Sequence, residues 1–132
     1  MTKSMIVTGA GAGIGECIAR YASDAGYRVG VLDINHDTAT AVADSLPNAV
    51  ALSAAVNDPD AVEAALESFG TPDALVNNAG IVRFGPLLEQ SVDDFRAVLC
   101  IDITQSGGRI RTNRNTCRGK SFCDDGKIKN ID

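Results

Sequence analysis

Residues 8–15 read Thr-Gly-Ala-Gly-Ala-Gly-Ile-Gly and join a short apolar segment to an amphipathic pattern. Residues 4–8 predict a buried strand, and residues 13–25 carry apolar side chains at helical spacing before Gly26. Gly9 suits a turn with positive φ, and the glycines after it let a phosphate approach the backbone because no Cβ stands in the way. A helix that begins here offers unpaired N–H groups to an anion. The segment therefore predicts a phosphate-binding turn between a strand and a helix.

An acidic residue ends the second predicted strand, residues 27–32. Asp33 lies about 20 residues beyond the glycine turn, where a carboxylate can accept both hydroxyls of an adenosine ribose. Each feature alone is weak, since a glycine turn can be a mere connection and a strand-end carboxylate can be merely solvated. Together they predict a dinucleotide site. A 2′-phosphate would be repelled by Asp33 and would find no Arg or Lys in the glycine turn, so NAD is favoured over NADP.

Strand and helix patterns continue to alternate as far as residue 104. Further strands are predicted at residues 49–56 and 74–77. Further helices are predicted at 37–46, 58–70 and 91–103, with Asp37, Asp58 and Ser91 as their capping residues. This order predicts an α/β fold, a Rossmann-type doubly wound parallel sheet with helices on both faces.

The net charge of −5 is unevenly distributed. Residues 1–104 hold 5 basic and 14 acidic side chains, whereas residues 105–132 hold 7 basic and 3 acidic ones. No apolar stretch approaches the roughly 18 residues of a membrane span, and no signal peptide precedes the first strand, so we expect a cytoplasmic protein with no membrane partner. The cysteines form no C-x-x-C pair and His36 has none near it, so we expect no metal site.

Two motifs together resemble the short-chain dehydrogenase/reductase family. Thr8-Gly9-x-x-x-Gly13-Ile14-Gly15 is similar to the family's T-G-x-x-x-G-[I/L]-G, and Asn77-Asn78-Ala79-Gly80 matches its N-N-A-G. The resemblance covers residues 1–104. It implies hydride transfer between a nicotinamide dinucleotide and an alcohol or carbonyl substrate. A methyltransferase-like domain can have a similar glycine turn and a similar acid at the end of its second strand. The N-N-A-G motif disfavours that alternative.

The resemblance also implies a set of cofactor-binding residues. They are Gly9, Gly13, Ile14, Gly15, Asp33, Val56, Asn78, Ala79 and Gly80. The glycine turn would line the pyrophosphate, the acid would bind the adenosine ribose, and the last three would close the pocket beside the adenosine. Ala55 stands where members of the family usually have an Asp that contacts adenine. Its absence implies a modestly lower affinity for the cofactor. The two asparagines also suit a turn that ties adjacent strands, and both roles are compatible.

The catalytic side of the family pattern is missing from this sequence. The family chemistry needs a Ser and a Tyr-x-x-x-Lys pair, in which Lys lowers the pKa of Tyr. The only tyrosines are Tyr21 and Tyr27, and Ala25 and Val31 stand four positions after them. Asp102 occupies the position of the family's catalytic Asn, which acts through its backbone carbonyl. The alternative is that Asp102 is an ordinary helix residue. We expect an inactive cofactor half of an oxidoreductase, with a non-catalytic NAD-binding or partner-binding fragment as the alternative.

Residues 105–125 break the pattern, being Arg-rich and without periodicity. Residues 126–131 are similar to the family's fifth strand. We therefore expect a Rossmann half-domain over 1–104, truncated after the fourth or fifth strand, and an irregular basic tail over 105–132 with one short strand at most. For the Arg-rich segment we favour an origin in a frameshifted, mis-spliced or degraded gene region. The alternatives are a basic insertion that binds nucleic acid or an acidic partner, and an unusual loop. The family has an interface helix here, so intact relatives are expected to be homo-oligomers.

Overall fold

The computed structural model describes residues 1–104, 123–124 and 127–128. Through residue 104, strands and helices alternate as β1 Ser4–Thr8, α1 Gly13–Asp24, β2 Arg28–Asp33, α2 His36–Asp44, β3 Ala49–Ser53, α3 Pro59–Phe69, β4 Ala74–Val76 and α4 Val92–Thr104. A 3-10 turn at Leu87–Glu89, which the sequence did not predict, precedes α4.

The first four strands form one parallel sheet in the order β3-β2-β1-β4. The chain moves outward from β1 through β2 to β3 and then crosses to the other side of β1. Strands β1 and β4 therefore lie where the strand order reverses, and a ligand site of an open α/β sheet lies at such a point. The predicted α/β class and Rossmann-type topology are confirmed.

The central strands send alternate side chains into two hydrophobic clusters. On one face, α1 and α2 cover Val7, Val29 and Val31, which are fully buried. On the other face, α3 covers Ile6 and Leu32. Because successive side chains of a strand point to opposite faces, the sheet is covered on both sides, as the continuous apolar strands indicate.

Two of the predicted helix starts are confirmed. The Asp58 side chain accepts hydrogen bonds from the N–H groups of Asp60 and Ala61 at the start of α3. The Ser91 hydroxyl accepts from the N–H of Asp94 at 3.0 Å and donates to its carboxylate at 2.7 Å at the start of α4. Local capping chemistry therefore fixes where both helices begin.

The predicted start of α2 is wrong. Asn35, not Asp37, caps this helix: its side-chain oxygen accepts from the N–H groups of Asp37 at 3.1 Å and Thr38 at 3.3 Å. Asp37 lies in the first turn, where its negative charge faces the positive end of the helix. Asn and Asp cap equally well, so the sequence pattern did not decide between them.

Only part of the predicted basic tail is described. Cys123–Asp124 forms β5 and Lys127–Ile128 forms β6, and the two pair antiparallel with each other. This pairing differs from the parallel fifth strand that the resemblance implies for residues 126–131. The rest of the tail, including the Arg-rich segment, lies outside the described residues. The hypothesis that this segment comes from a disrupted gene region therefore stays a prediction.

The start of the β1–β4 pairing is held by Asp73 and Ser4. One carboxylate oxygen of Asp73 accepts from the backbone N–H of Ser4 at 2.7 Å and from its hydroxyl at 3.0 Å. The N–H of Asp73 donates to the Ser4 carbonyl at 3.0 Å. The backbone bond, followed by the hydroxyl bond, holds the pKa of Asp73 below its usual value of 3.8.

Asp73→Asn should destabilise the fold at neutral pH, with a deficit that shrinks in acid. Because the folded-state pKa is lowered, the ionised carboxylate stabilises the fold above the unfolded-state value of 3.8. This contribution is lost as pH falls through the lower folded-state value. Urea unfolding of both proteins, at neutral pH and in steps into the acid range, measures the deficit. A deficit that stays constant with pH would contradict the assignment.

Candidate functional site

A cleft of about 370 Å³ lies at the carboxyl ends of the strands. It is lined by the end of β2, the loops after the four strands, the first turn of α1 and one residue of α4, Ile101. Seven of the predicted site residues are among its lining: Gly9, Ile14, Asp33, Val56, Asn78, Ala79 and Gly80. The fold thus brings together residues from all four strand ends. Asp102 follows Ile101 in α4, and its side chain lies outside the described residues.

The glycine turn after β1 has two residues in the left-handed region. Gly9 has a φ of +63° and Gly13 a φ of +61°. A Cβ on Gly9 would stand 2.8 Å from the Cα of Ala79, so this position needs glycine for space as well as for conformation. A Cβ on Gly13 would meet nothing within 4 Å. The first residue of α1 therefore faces open space.

Gly15 has a different role from the other two glycines. It is buried, and a Cβ there would contact the carbonyl oxygen of Gly9 and lie 2.5 Å from Nδ2 of Asn78. Its missing side chain lets α1 pack closely against the turn. Gly15 thus shapes the cleft from behind, because the close packing of helix and turn leaves no room for a side chain.

The N-terminus of α1 has no side-chain cap. Its N-cap residue is Ala12, in extended conformation, and among the residues that the structure describes no side chain accepts from the first N–H groups of the helix. By contrast, side chains cap α2, α3 and α4. The free N–H groups of α1 lie beside Gly13 and Ile14 and can donate to an anion.

The hydroxyl of Thr8 joins the glycine turn to the loop after β4. This buried oxygen accepts from the N–H groups of Asn78 at 2.9 Å and Ala79 at 3.0 Å. The side-chain amide of Asn78 donates back to the carbonyls of Thr8 at 3.0 Å and Gly9 at 3.3 Å. Asn78 therefore has the strand-tying role that the sequence allowed. Its role toward a ligand stays a prediction.

The carboxylate of Asp33 is held in the cleft wall by two backbone donors. One oxygen accepts from the N–H of Gly11 at 2.9 Å and the other from the N–H of Asn35 at 3.0 Å. A carboxylate oxygen has two acceptor sites, so each oxygen can still accept a hydrogen bond from a ligand hydroxyl. Among the described residues, no Lys or Arg lines the cleft.

Sequence reasoning missed an apolar residue beside this carboxylate. Ile34 lines the cleft and is 74% exposed. Val56 belongs to the loop of residues 54–57, because β3 ends at Ser53 rather than at the predicted residue 56. No local signal in the sequence marks Ile34, because its position in the cleft wall is a property of the assembled fold.

The described side chains offer few groups for bond-making chemistry. Tyr21 lies on the outer side of α1 and is 79% exposed. Tyr27 is half-buried and packs against the hydrophobic cluster under α1 and α2. Neither lines the cleft. Within the described part of the chain, no three His, Cys, Asp or Glu side chains gather in a way that could hold a metal ion.

A parallel sheet with a glycine turn, an uncapped helix and a strand-end acid defines an NAD(P)-binding Rossmann domain. Residues 3–107 match the profile of the family described as short chain dehydrogenase, and the chain belongs to this family. It is 40% identical over 107 residues to a meso-2,3-butanediol dehydrogenase of Serratia marcescens, covering 76% of this chain and 43% of that protein. It is 41% identical over 106 residues to a 3-oxoacyl-[acyl-carrier-protein] reductase of Staphylococcus aureus, covering 71% of this chain and 43% of that protein.

Solved structures with bound nicotinamide cofactors share the fold. A 3-ketoacyl-(acyl-carrier-protein) reductase from Brucella melitensis, complexed with NADH, has a TM-score of 0.70 and 32% identity. A 3-oxoacyl-[acyl-carrier protein] reductase from the same organism, with bound NAD, has a TM-score of 0.74 and 29% identity. Each match covers 79% of this chain, and 45% and 44% of those chains respectively. The chain therefore spans less than half the length of the relatives it matches.

Ala12→Ser should stabilise the fold while weakening anion binding. The new hydroxyl would accept from an N–H in the first turn of α1, raising the free energy of unfolding by about 1 kcal/mol. The same bond would occupy a donor that an anion needs, so affinity for inorganic pyrophosphate should fall. Urea unfolding and calorimetry measure the two effects. Ala25→Ser, at the exposed opposite end of α1, is the control. The interpretation fails if Ala12→Ser leaves pyrophosphate affinity unchanged.

Proposed function

We propose that this chain binds NAD in the cleft, as the cofactor-binding part of a short-chain dehydrogenase/reductase. The observation that carries the proposal is the Asp33 carboxylate, held by two backbone donors in the same cleft wall as the uncapped start of α1. A bound nicotinamide cofactor supplies the hydride donor or acceptor for interconversion of an alcohol and a carbonyl compound. The activity and substrates of a whole enzyme of this family are part of the proposal.

The pyrophosphate would lie against the glycine turn and the start of α1. Gly13 leaves open space there, and the first N–H groups of the helix have no side-chain cap. Gly9 and Gly15 allow the turn, the loop after β4 and the helix to approach each other closely. The positive end of the helix dipole would stabilise the two negative charges of a pyrophosphate.

The adenosine would lie between the loops after β2, β3 and β4. Asp33 would accept the ribose hydroxyls through the acceptor sites that its backbone bonds leave free. Ile34 and Val56 would contact the apolar faces of adenine, and Ala79 and Gly80 would close the pocket beside it. Burying exposed Ile34 supports this arrangement, because covering apolar surface contributes roughly 25 cal/mol per Å².

Asp33 also favours NAD over NADP. A 2′-phosphate would bring negative charge against this carboxylate, and no Lys or Arg among the described residues lines the cleft to offset the repulsion. The relatives with bound NADH and NAD support a nicotinamide dinucleotide in general. The preference for NAD is inferred from the charge alone.

A second candidate is a module that binds NAD without transferring hydride. The sequence contains no Tyr-x-x-x-Lys pair, and both tyrosines lie away from the cleft. Asp102, at the position of the family's catalytic Asn, stays a prediction. The cytoplasmic location and the absence of a nucleic-acid partner also stay predictions of the sequence. None of the helices in the described part of the chain is long and apolar enough to cross a membrane.

Asp33→Asn should weaken NAD binding about 10- to 100-fold, because it removes charge-assisted hydrogen bonds to the ribose. NADP affinity should not fall, because the repulsion is removed as well. Calorimetry of the 132-residue chain with both dinucleotides measures the effects. Asp44→Asn, which removes an exposed carboxylate at the far end of α2, is the matched control.

Two outcomes would count against these proposals. Unchanged NAD affinity in Asp33→Asn would refute the cofactor assignment. If the same samples, supplied with an alcohol, developed the absorbance of reduced cofactor, the chain would be catalytic and the second candidate would be wrong.

A further inference from the structure

We propose that Gly11 is a positioning residue for ribose recognition. Its backbone N–H and its missing side chain together fix the Asp33 carboxylate in the orientation that receives the ribose hydroxyls, and Thr38 closes the space behind it. Gly11 is one of the variable positions of the glycine motif and is not in the predicted set of cofactor-binding residues. The inference rests on the proposed NAD binding.

The first part of the argument is the orientation of the carboxylate. The N–H of Gly11 donates to one oxygen of Asp33 at 2.9 Å, and the N–H of Asn35 donates to the other at 3.0 Å. The two donors belong to different elements, the glycine turn and the entry to α2. A rotation of the carboxylate would therefore break at least one of these bonds, and the pair of bonds restricts it to one orientation.

The second part is the reason for glycine at this position. Gly11 is not among the glycines with positive φ, so its backbone conformation would accept alanine. A Cβ built there would nevertheless stand 3.0 Å from both Cγ and Oδ2 of Asp33 and would contact Oγ1 of Thr38. The requirement at position 11 is therefore space beside the carboxylate. It differs from the conformational requirement at Gly9 and Gly13.

The intact Thr38 side chain cannot move out of that space without losing its own hydrogen bond at the same site. Its hydroxyl donates to the carbonyl of Asn35 at 3.1 Å. Asn35 in turn caps α2 through the N–H groups of Asp37 and Thr38 and holds the second oxygen of Asp33. Any side chain added at position 11 would thus push on the carboxylate directly, or indirectly through Thr38 and Asn35.

Gly11 does not itself line the cleft, whereas Asp33 does. A side chain at position 11 should accordingly act on the ligand through Asp33, and only on the part of the ligand that Asp33 binds. This separates it from the residues around the pyrophosphate. A substitution that merely disrupted the glycine turn would weaken every dinucleotide alike.

The test compares NAD with its analogue that carries 2′-deoxyadenosine, by calorimetry on the 132-residue chain. The unaltered chain should bind NAD about tenfold more tightly than the analogue, because the analogue lacks one hydroxyl that Asp33 accepts. In Gly11→Ala this ratio should fall toward one through loss of NAD affinity, while affinity for the analogue stays nearly constant. A second change, Thr38→Ala, should restore part of the ratio. Thr38→Ser, which keeps the oxygen that crowds position 11, should not.

The outcomes separate this inference from the proposed function. If the unaltered chain discriminates and Gly11→Ala discriminates equally, or if both affinities fall together, the positioning role is refuted and NAD binding stands. If the unaltered chain does not bind NAD, the proposed function fails and the inference fails with it. If thermal unfolding shows that Gly11→Ala does not fold, the test instead follows the amide resonance of Gly11 by NMR. That resonance should move in Asp33→Asn, and an unmoved resonance would overturn the inference.

Discussion

The site depends on the hydroxyl of Thr8, which accepts the N–H groups of Asn78 and Ala79 where β1 and β4 end. Leaving these partly buried donors without a partner would cost up to about 1–3 kcal/mol each, so this oxygen favours one arrangement of the two loops. The amide of Asn78 returns two bonds to the glycine turn. The glycine turn and the loop after β4 are thereby joined by four hydrogen bonds.

The Thr8–Asn78 link lies where the strand order reverses, which is the point at which an open α/β sheet binds its ligand. At the other end of the same strand pair, Asp73 and Ser4 hold the register. Strands β1 and β4 are thus fixed at both ends, and the loops that follow them open toward the cleft. From there the glycine turn leads into an uncapped helix, and β2 ends at the carboxylate of Asp33. The proposed phosphate and ribose sites therefore share one hydrogen-bonded frame.

The sequence predicted what depends on local chemistry. Strand periodicity gave the sheet, and the caps at Asp58 and Ser91 were identified because a capping side chain bonds to nearby N–H groups. It did not distinguish Asn35 from Asp37, since both cap equally well and tertiary packing decides where β2 ends. The asparagine motif suggested a turn that ties adjacent strands, but no local pattern identifies its partner, Thr8, about 70 positions away. Ile34 and the crowding at Gly11 were missed for the same reason, because both are properties of the assembled cleft.

The central claim is that one dinucleotide lies across the switch point between β1 and β4. Amide resonances of the isotope-labelled chain, followed by NMR during titration with NAD, test it most directly. We predict shifts at Gly13, Asp33, Val56 and Gly80, which lie at or beyond the carboxyl ends of four different strands, with little change at distant Asp73. Shifts confined to one of these four residues, or no shifts at any of them, would contradict the claim.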